Sequence, residues 1–132
     1  MICLDSSFMI DIMRKKEHAV NLFSAIKEDV HFTTIINVYE LMSGIYQIRD
    51  RNYERHIKIL EDFHSTMHIL DLDKASTAQA SKLSGELAKN GAIIEDLDIL
   101  IAGICLSNGC SRIATKNKKH FDRINGLKVE TY

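Results

Sequence analysis

Residues 91–109 read GAIIEDLDILIAGICLSNG, and they set three carboxylates against the most apolar segment of the chain. Glu95, Asp96 and Asp98 fall within four positions, and the run 99–106 that follows carries no charge. Like charges this close repel one another, and a buried carboxylate without a partner is costly. The stretch therefore predicts a buried helix whose acidic start needs a partner from elsewhere in the chain.

Short apolar runs alternate with longer amphipathic segments along the rest of the sequence. The runs MICL, VHFTT, HILDL, RIAT and LKVET are typical of strands. Helices are predicted between them, at Ser6 to Lys15, Glu17 to Lys27, 36–48, Arg51 to Ser65, Lys74 to Lys89, Asp96 or Leu97 to Ser107, and Lys118 to Ile124. This alternation predicts an α/β fold, in which a mostly parallel sheet is flanked by helices on both faces.

Composition narrows the class of protein. The 132 residues are 45% hydrophobic and 27% charged, which predicts one globular domain over residues 1–132. The net charge of −1 argues against binding nucleic acid by bulk charge. We expect neither a signal peptide nor a membrane span, and the odd number of cysteines, three, favours a reducing cytoplasm.

Polar side chains from separate segments are predicted to meet at one edge of the sheet. Asp5 follows the first strand, Glu40 lies early in the helix after the second, and Asn117 follows the fourth. Asp96 and Asp98 begin the helix that leads toward the fourth strand. Sites in open parallel sheets form beyond the carboxyl ends of the strands. Converging carboxylates need a cation, and Mg²⁺ or Mn²⁺ would suit phosphodiester hydrolysis.

Each acid also has a simpler interpretation when it is taken alone. Asp5 is in place to cap the helix that follows it. Asp96 and Asp98 gain from the dipole when they lie in a helix's first turn. Glu40 fits a solvated helix surface. The convergence of all four favours the metal site.

Four segments resemble the motifs of PIN-domain ribonucleases, and most closely those of the VapC-type toxins of toxin–antitoxin pairs. They are CLDSSFMID (3–11), INVYELMSGI (36–45), DLDILIAGICLSNG (96–109) and IATKNKKHFDRINGLKV (113–129). Each motif is short, but the four occur in order and span nearly the whole chain.

The resemblance implies a Rossmann-like, PIN-like sheet and a Mg²⁺-dependent endoribonuclease. It implies that Asp5, Glu40 and Asp98 are the metal ligands, and that Asp96 is a second acid of the same motif. The implied reaction is in-line attack of activated water on an RNA phosphodiester, with Asp96 or Glu40 orienting the water. All four acids are therefore candidate catalytic residues.

The resemblance also assigns supporting residues and shows departures. Ser6 matches a Thr or Ser that positions a ligand or water, and Thr115 and Asn117 match a T-x-N/D segment near the metal. Asn117 stands at the fourth acidic position in place of Asp, as in many relatives, which implies a weaker second metal site rather than an inactive enzyme. His120 stands where Asp is frequent, and we interpret it as an exposed helix residue, with altered substrate binding as the alternative.

Partners follow from the same resemblance. Basic side chains near the end of the chain are candidates for steering the RNA backbone: Lys116, Lys118, Lys119 and Arg123. The resemblance implies a cognate antitoxin whose C-terminal segment lies in an apolar groove, and a homodimer. The groove is expected to involve Phe8, Ile12, Leu22, Phe23, Tyr39 and Ile45.

Two other functions remain open at the level of sequence. A phosphatase or receiver domain would use Asp5 as a phosphoryl acceptor. Such phosphatases carry a D-x-D pattern after the first strand, but here Ser7 stands in place of the second Asp. A non-catalytic module would keep the fold and dock RNA or a protein partner. Metal-dependent RNA cleavage separates that module from the enzyme.

Overall fold

Five short strands form one parallel sheet in the computed structural model, which describes residues 1–49 and 52–132. The strands are β1 (Ile2–Leu4), β2 (His31–Thr34), β3 (His68–Leu70), β4 (Arg112–Ala114) and β5 (Lys128–Glu130). The helices are α1 (Ser6–Met13), α2 (Glu17–Ala25), α3 (Ile35–Gln47), α4 (Tyr53–His64), α5 (Lys74–Lys89), α6 (Asp96–Ser107) and α7 (Lys118–Phe121).

The predicted α/β class is confirmed, and all four strand pairings are parallel. The element ends differ where local chemistry decides them. Helix α1 stops at Met13, and Lys15 adopts a positive φ of 54°. Helix α3 starts one residue early because Thr34 and Asn37 form a reciprocal capping box. The predicted helix start at Arg51 lies outside the described residues.

Side chains alternate between two hydrophobic clusters, one on each face of the sheet. Ile2 and Leu4 of β1 point into the cluster formed with α1 to α4, whereas Cys3 points into the cluster formed with α5 to α7. This alternation is the period of two expected of a strand that is buried on both faces. Helix α6 packs closely on α5 at Gly103. A Cβ at this position would lie 2.6 Å from Cβ of Ala80, so only glycine fits without a shift.

The strand order β3-β2-β1-β4-β5 places a reversal of the chain's path at β1. The chain runs outward from β1 to β3 and then returns to add β4 on the other side of β1. The crevice beyond the carboxyl ends of β1 and β4 is therefore the switch point at which such sheets bind ligands. Within residues 1–49 and 52–132, no helix combines the length and apolar character needed to cross a bilayer.

Candidate active site

Asp5 lies at the centre of the crevice, directly after β1, with only 4% of its surface exposed. Its Oδ2 accepts hydrogen bonds from Ser7 Oγ at 2.6 Å and from Thr115 Oγ1 at 2.7 Å. Its Oδ1 accepts one from Asn37 Nδ2 at 2.9 Å. Asp5 also caps α1 through the backbone N–H of Ser7, so the capping interpretation is confirmed, and the cap leaves Asp5 within the crevice.

Glu40 approaches Asp5 from α3. Its Oε2 accepts a hydrogen bond from Ser6 Oγ at 2.7 Å and a longer one, at 3.4 Å, from the Asn37 amide that also binds Asp5. Partial burial raises the pKa of Glu40, and the charges of Asp5 and Asp98 raise it further, while the bond from Ser6 opposes the shift. Glu40 therefore carries a negative charge that its surroundings disfavour.

Asp98 approaches from the first turn of α6 and is 7% exposed. Its Oδ2 accepts a hydrogen bond from Asn117 Nδ2 at 2.8 Å and lies 2.5 Å from Nδ1 of His120. Burial raises the pKa of Asp98, His120 counteracts the shift, and the charge of Asp5 adds to it. We call Asp5, Glu40 and Asp98 the acid cluster.

His120 belongs to this site, so its interpretation as an exposed helix residue is wrong. An ionised carboxylate can only accept a hydrogen bond, so the ring nitrogen nearest Asp98, Nδ1, carries the proton and donates it. Asn117 Nδ2 also lies 2.9 Å from this Nδ1, but a protonated Nδ1 cannot accept, and the Asn117 amide therefore donates to Asp98. The ring of His120 is 27% exposed.

The acid cluster has no strong cationic partner within the described part of the chain. No lysine or arginine there forms an ion pair with it, and the one basic side chain there that contacts it is the His120 ring. Glu40 Oε1 and Asp98 Oδ1 accept no hydrogen bond from the described residues, although the second oxygen of each carboxylate is held. Two carboxylate oxygens are therefore available to a ligand.

The donor set fits Mg²⁺ or Mn²⁺ that keeps much of its water. No three His, Cys, Asp or Glu side chains in residues 1–49 and 52–132 are close enough to hold an ion among them. Mg²⁺ usually keeps several waters and binds through one or two carboxylates. Burial and, after it, repulsion within the acid cluster raise the pKa values of Glu40 and Asp98, which favours a divalent cation over a neutral ligand.

Asp96 does not join the acid cluster. It is exposed and lines a groove between α5 and α6 with Ser81 and Leu100. Two residues along a helix turn the side chain by about 200°, so Asp96 and Asp98 face opposite sides of α6.

Asn37 and Ser7 join the site although the sequence interpretation did not include them. Asn37 bridges Asp5 and Glu40, and Ser7 donates its hydroxyl to Asp5. A signal for Asn37 was present, because it lies three residues before Glu40 and therefore on the same face of α3.

Lys116, expected to steer RNA, is held by a second buried acid. Its ammonium contacts Oδ2 of Asp11, and Lys16 contacts Oδ1 at 2.9 Å. The Tyr132 hydroxyl donates to the same carboxylate at 3.3 Å. Burial acts to raise the pKa of Asp11, which is 1% exposed, but hydrogen bonds and charge from the two lysines outweigh it and lower the pKa to about 2. We call Lys16 and Lys116 the lysine pair.

The other three expected RNA contacts lie on the surface beside α7. Lys119 is exposed, and Lys118 forms a weak ion pair with Asp122 at 3.8 Å. Arg123 donates to the carbonyl of Ile93 at 3.2 Å, just before the start of α6.

An apolar groove of about 510 Å³ opens beside Glu40. Its apolar walls come from α1, α3, α4 and the end of α3: Ile10, Met13, Leu41, Ile45, Ile48, Ile59 and Leu60. Of the six residues expected there, only Ile45 lines it. Phe8 is fully buried in the core, and Tyr39 is 61% exposed elsewhere on α3. Helices α1 and α3 are common to this groove and to the expected one, whereas α4 lines this groove in place of α2.

Comparison with known proteins identifies relatives along almost the entire chain. The PIN domain family profile matches residues 2–127. A tRNA(fMet)-specific endonuclease VapC from Shigella flexneri is 27% identical over 98% of this chain and 96% of its own. A protein of the same name from Salmonella typhimurium is 32% identical over 95% of this chain and 97% of its own.

Solved structures agree with these relatives. VapBC2 from Rickettsia felis, bound to a DNA fragment from its promoter, superposes with a TM-score of 0.85 at 25% identity, covering 100% of this chain and 99% of that one. DNA-bound VapBC from Salmonella typhimurium superposes with a TM-score of 0.83 at 27% identity, covering 98% and 96%.

Proposed function

The chain belongs to the PIN domain family, with VapC ribonucleases as relatives, and on that premise we propose that it is the ribonuclease toxin of a toxin–antitoxin pair. The proposed reaction is Mg²⁺- or Mn²⁺-dependent hydrolysis of RNA phosphodiester bonds. The observation that carries the proposal is the acid cluster, in which three carboxylates approach one another at the switch point of the sheet and two of their oxygens accept no hydrogen bond from the described residues. A structural role alone does not explain such repulsion.

Asp5, Glu40 and Asp98 are the proposed holders of the cation, directly or through water. When bound, a divalent cation supplies an activated water and stabilises the charge of the leaving oxygen. Ser6 positions Glu40, and Thr115 positions Asp5, each through a short hydrogen bond. These bonds fix the carboxylates before the substrate arrives, which avoids reorganisation during the reaction.

Glu40 is the better candidate for orienting the attacking water. Its Oε1 accepts no hydrogen bond from residues 1–49 and 52–132, and the raised pKa makes Glu40 a stronger base than an ordinary carboxylate. Asp96 faces the groove between α5 and α6, so we assign it at most a contribution through its charge.

RNA is proposed to run past the lysine pair and the basic surface of α7. Lys116 connects the acid cluster to the lysine pair. Its backbone N–H donates to Ser7 Oγ, and that hydroxyl donates to Asp5. Two ammonium groups share one carboxylate at Asp11, so a positive charge remains for a phosphate. Lys118, Lys119 and Arg123 extend this surface along α7.

An antitoxin segment is the proposed occupant of the apolar groove. The groove has Glu40 on its wall, so a basic side chain of the occupant could reach the acid cluster and block it. Two VapBC complexes among the similar structures support this partner. A homodimer, the commonest symmetric assembly, is expected to appear as a doubled mass in light scattering. The free thiols of Cys3, Cys105 and Cys110 fit the proposed cytoplasmic location.

The proposal is tested by incubating the purified full chain with labelled RNA in Mg²⁺, in Mn²⁺ and in EDTA. Asp5→Asn and Asp98→Asn proteins run alongside. We expect metal-dependent cleavage that both variants lose. Cleavage that persists in both variants would overturn the assigned site. If no structured or unstructured RNA is cut but RNA is still bound, the protein is the non-catalytic binding module.

A further inference from the structure

Two side chains at the start of α7, one from the residue before the helix and one from within it, hold the same oxygen of Asp98. Asn117 and His120, three residues apart, both reach Oδ2, at 2.8 and 2.5 Å. Oδ1 accepts no hydrogen bond from the described residues. The contacts are therefore one-sided, and they fix the rotation of the carboxylate.

The platform that carries these two side chains is anchored on both sides. Phe121, next to His120, is fully buried in the core. The backbone N–H of Asn117 donates to Thr115 Oγ1 at 2.9 Å, and the same Oγ1 donates to Asp5. Because α7 is tied to the core and to Asp5, the His120 ring has a defined position relative to the acid cluster.

We propose that His120 is a positioning residue for Asp98, donating from Nδ1 to Oδ2 so that Oδ1 is left as the oxygen that would bind the cation. This inference rests on the proposed metal-dependent function. Ser6 holds Oε2 of Glu40 and leaves Oε1 open in the same manner. Residues that orient a metal-binding carboxylate typically contribute about 10–100-fold in metal affinity or activity.

Substitutions of His120 can separate this hydrogen bond from other roles of the ring. Asparagine places an amide N–H close to the position of Nδ1, whereas glutamine places one close to Nε2. Alanine provides neither. The three variants therefore distinguish the donor that faces Asp98 from the nitrogen that faces away from it.

The test measures Mn²⁺ binding by the full chain in the absence of RNA. The concentration of free Mn²⁺ is determined by electron paramagnetic resonance. The proteins are the wild type, His120→Asn, His120→Gln and His120→Ala, with His18→Ala as the exposed histidine control and Asp98→Asn as the control for loss. We expect His120→Asn to stay within about threefold of the wild type, and His120→Ala and His120→Gln to weaken binding by about tenfold or more. Melting curves verify that each variant is folded.

Three results would overturn the proposal in distinguishable ways. Equal affinity of His120→Ala and the wild type removes the positioning role and leaves the nuclease proposal intact. Retention by His120→Gln with loss in His120→Asn assigns the effect to Nε2 instead. If the wild type itself binds no Mn²⁺, both the positioning role and the proposed metal site are wrong.

Discussion

The acid cluster, whose Asp5 directly precedes α1, and Asp11, near the end of α1, are both largely buried carboxylate sites, yet their electrostatics are opposite. Asp11 has an ammonium group on each oxygen, and its pKa is lowered to about 2. Glu40 and Asp98 have mainly neutral donors and other carboxylates around them, and their pKa values are raised. One site is complete within the chain, and the other has the character of a site that needs a cation.

This difference shows that the depth of burial of a carboxylate does not by itself indicate a functional site. Asp11, at 1% exposed, is more deeply buried than Asp98, at 7%, but its charge is neutralised, so its contacts stabilise the fold. The acid cluster lowers the stability of the fold because it keeps negative charge together at the place proposed for a ligand. Such local conflicts with folding are expected at functional sites.

The largest expected effect concerns catalysis. Asp98→Asn should lower RNA cleavage by about a hundredfold or more, since it removes a proposed ligand rather than a residue behind one. Asp11→Asn should change cleavage by less than about threefold, because its carboxylate faces the lysine pair. Rates are measured in Mg²⁺ at a temperature where both variants are folded. Equal losses in the two variants would erase the distinction between the sites.

The same two substitutions should have the reverse order in stability. Asp11→Asn removes a buried charge that two ammonium groups and the Tyr132 hydroxyl contact, which should lower the free energy of unfolding by about 1.5–3 kcal/mol. Asp98→Asn removes repulsion and should leave stability unchanged or raise it. Urea unfolding at pH 7 without metal measures both values. Destabilisation by Asp98→Asn as large as that by Asp11→Asn would show that the acid cluster also supports the fold.

The pH dependence of stability should separate the sites by its sign. A raised pKa means that the native chain binds more protons than the unfolded one, so the terms from Glu40 and Asp98 lower stability as pH rises through their raised pKa values. The lowered pKa of Asp11 gives a stabilising term that is present above the ordinary value of 3.8 and lost as pH falls toward about 2. Melting temperatures from pH 4 to 8 in EDTA should therefore show a loss that Glu40→Gln reduces.

Added Mg²⁺ is the control for this pH experiment. Cation binding requires ionised carboxylates and stabilises the native state, so it should oppose the loss at higher pH in the wild type. If the melting temperature is the same with and without Mg²⁺ at every pH, the result would count against the cation site.

Sequence reasoning succeeded where local pattern decides the outcome. Strand and helix alternation predicted every element, and the strand ends located Asp5 and Asn117. Helix phase, which is also local, would have placed Asp96 on the opposite side of α6 from Asp98, but the two acids were grouped by proximity in sequence instead.

The remaining site residues depend on contacts between distant segments. His120 meets Asp98 across 22 positions, and Lys116 meets Asp11 across 105, and neither pairing has a local signature. His120 could be interpreted only as a helix residue until α7 was placed against α6. The route of a lysine side chain is likewise set by packing, because its long stem reaches several partners from one backbone position.

The smallest expected effect tests whether the lysine pair serves the fold alone. Lys116 is 49% exposed and shares one carboxylate with Lys16, so one positive charge of the pair remains for a phosphate. Replacing Lys116 with Gln should lower the magnitude of the slope of log affinity against log salt concentration by about one, measured with Asp98→Asn protein so that RNA stays intact. Lys27→Gln, at an exposed position two residues past the end of α2, is the matched control and should leave the slope unchanged. An unchanged slope in Lys116→Gln would mean that Asp11 uses the whole charge of this lysine, and the RNA path would then have to follow Lys118, Lys119 and Arg123 instead.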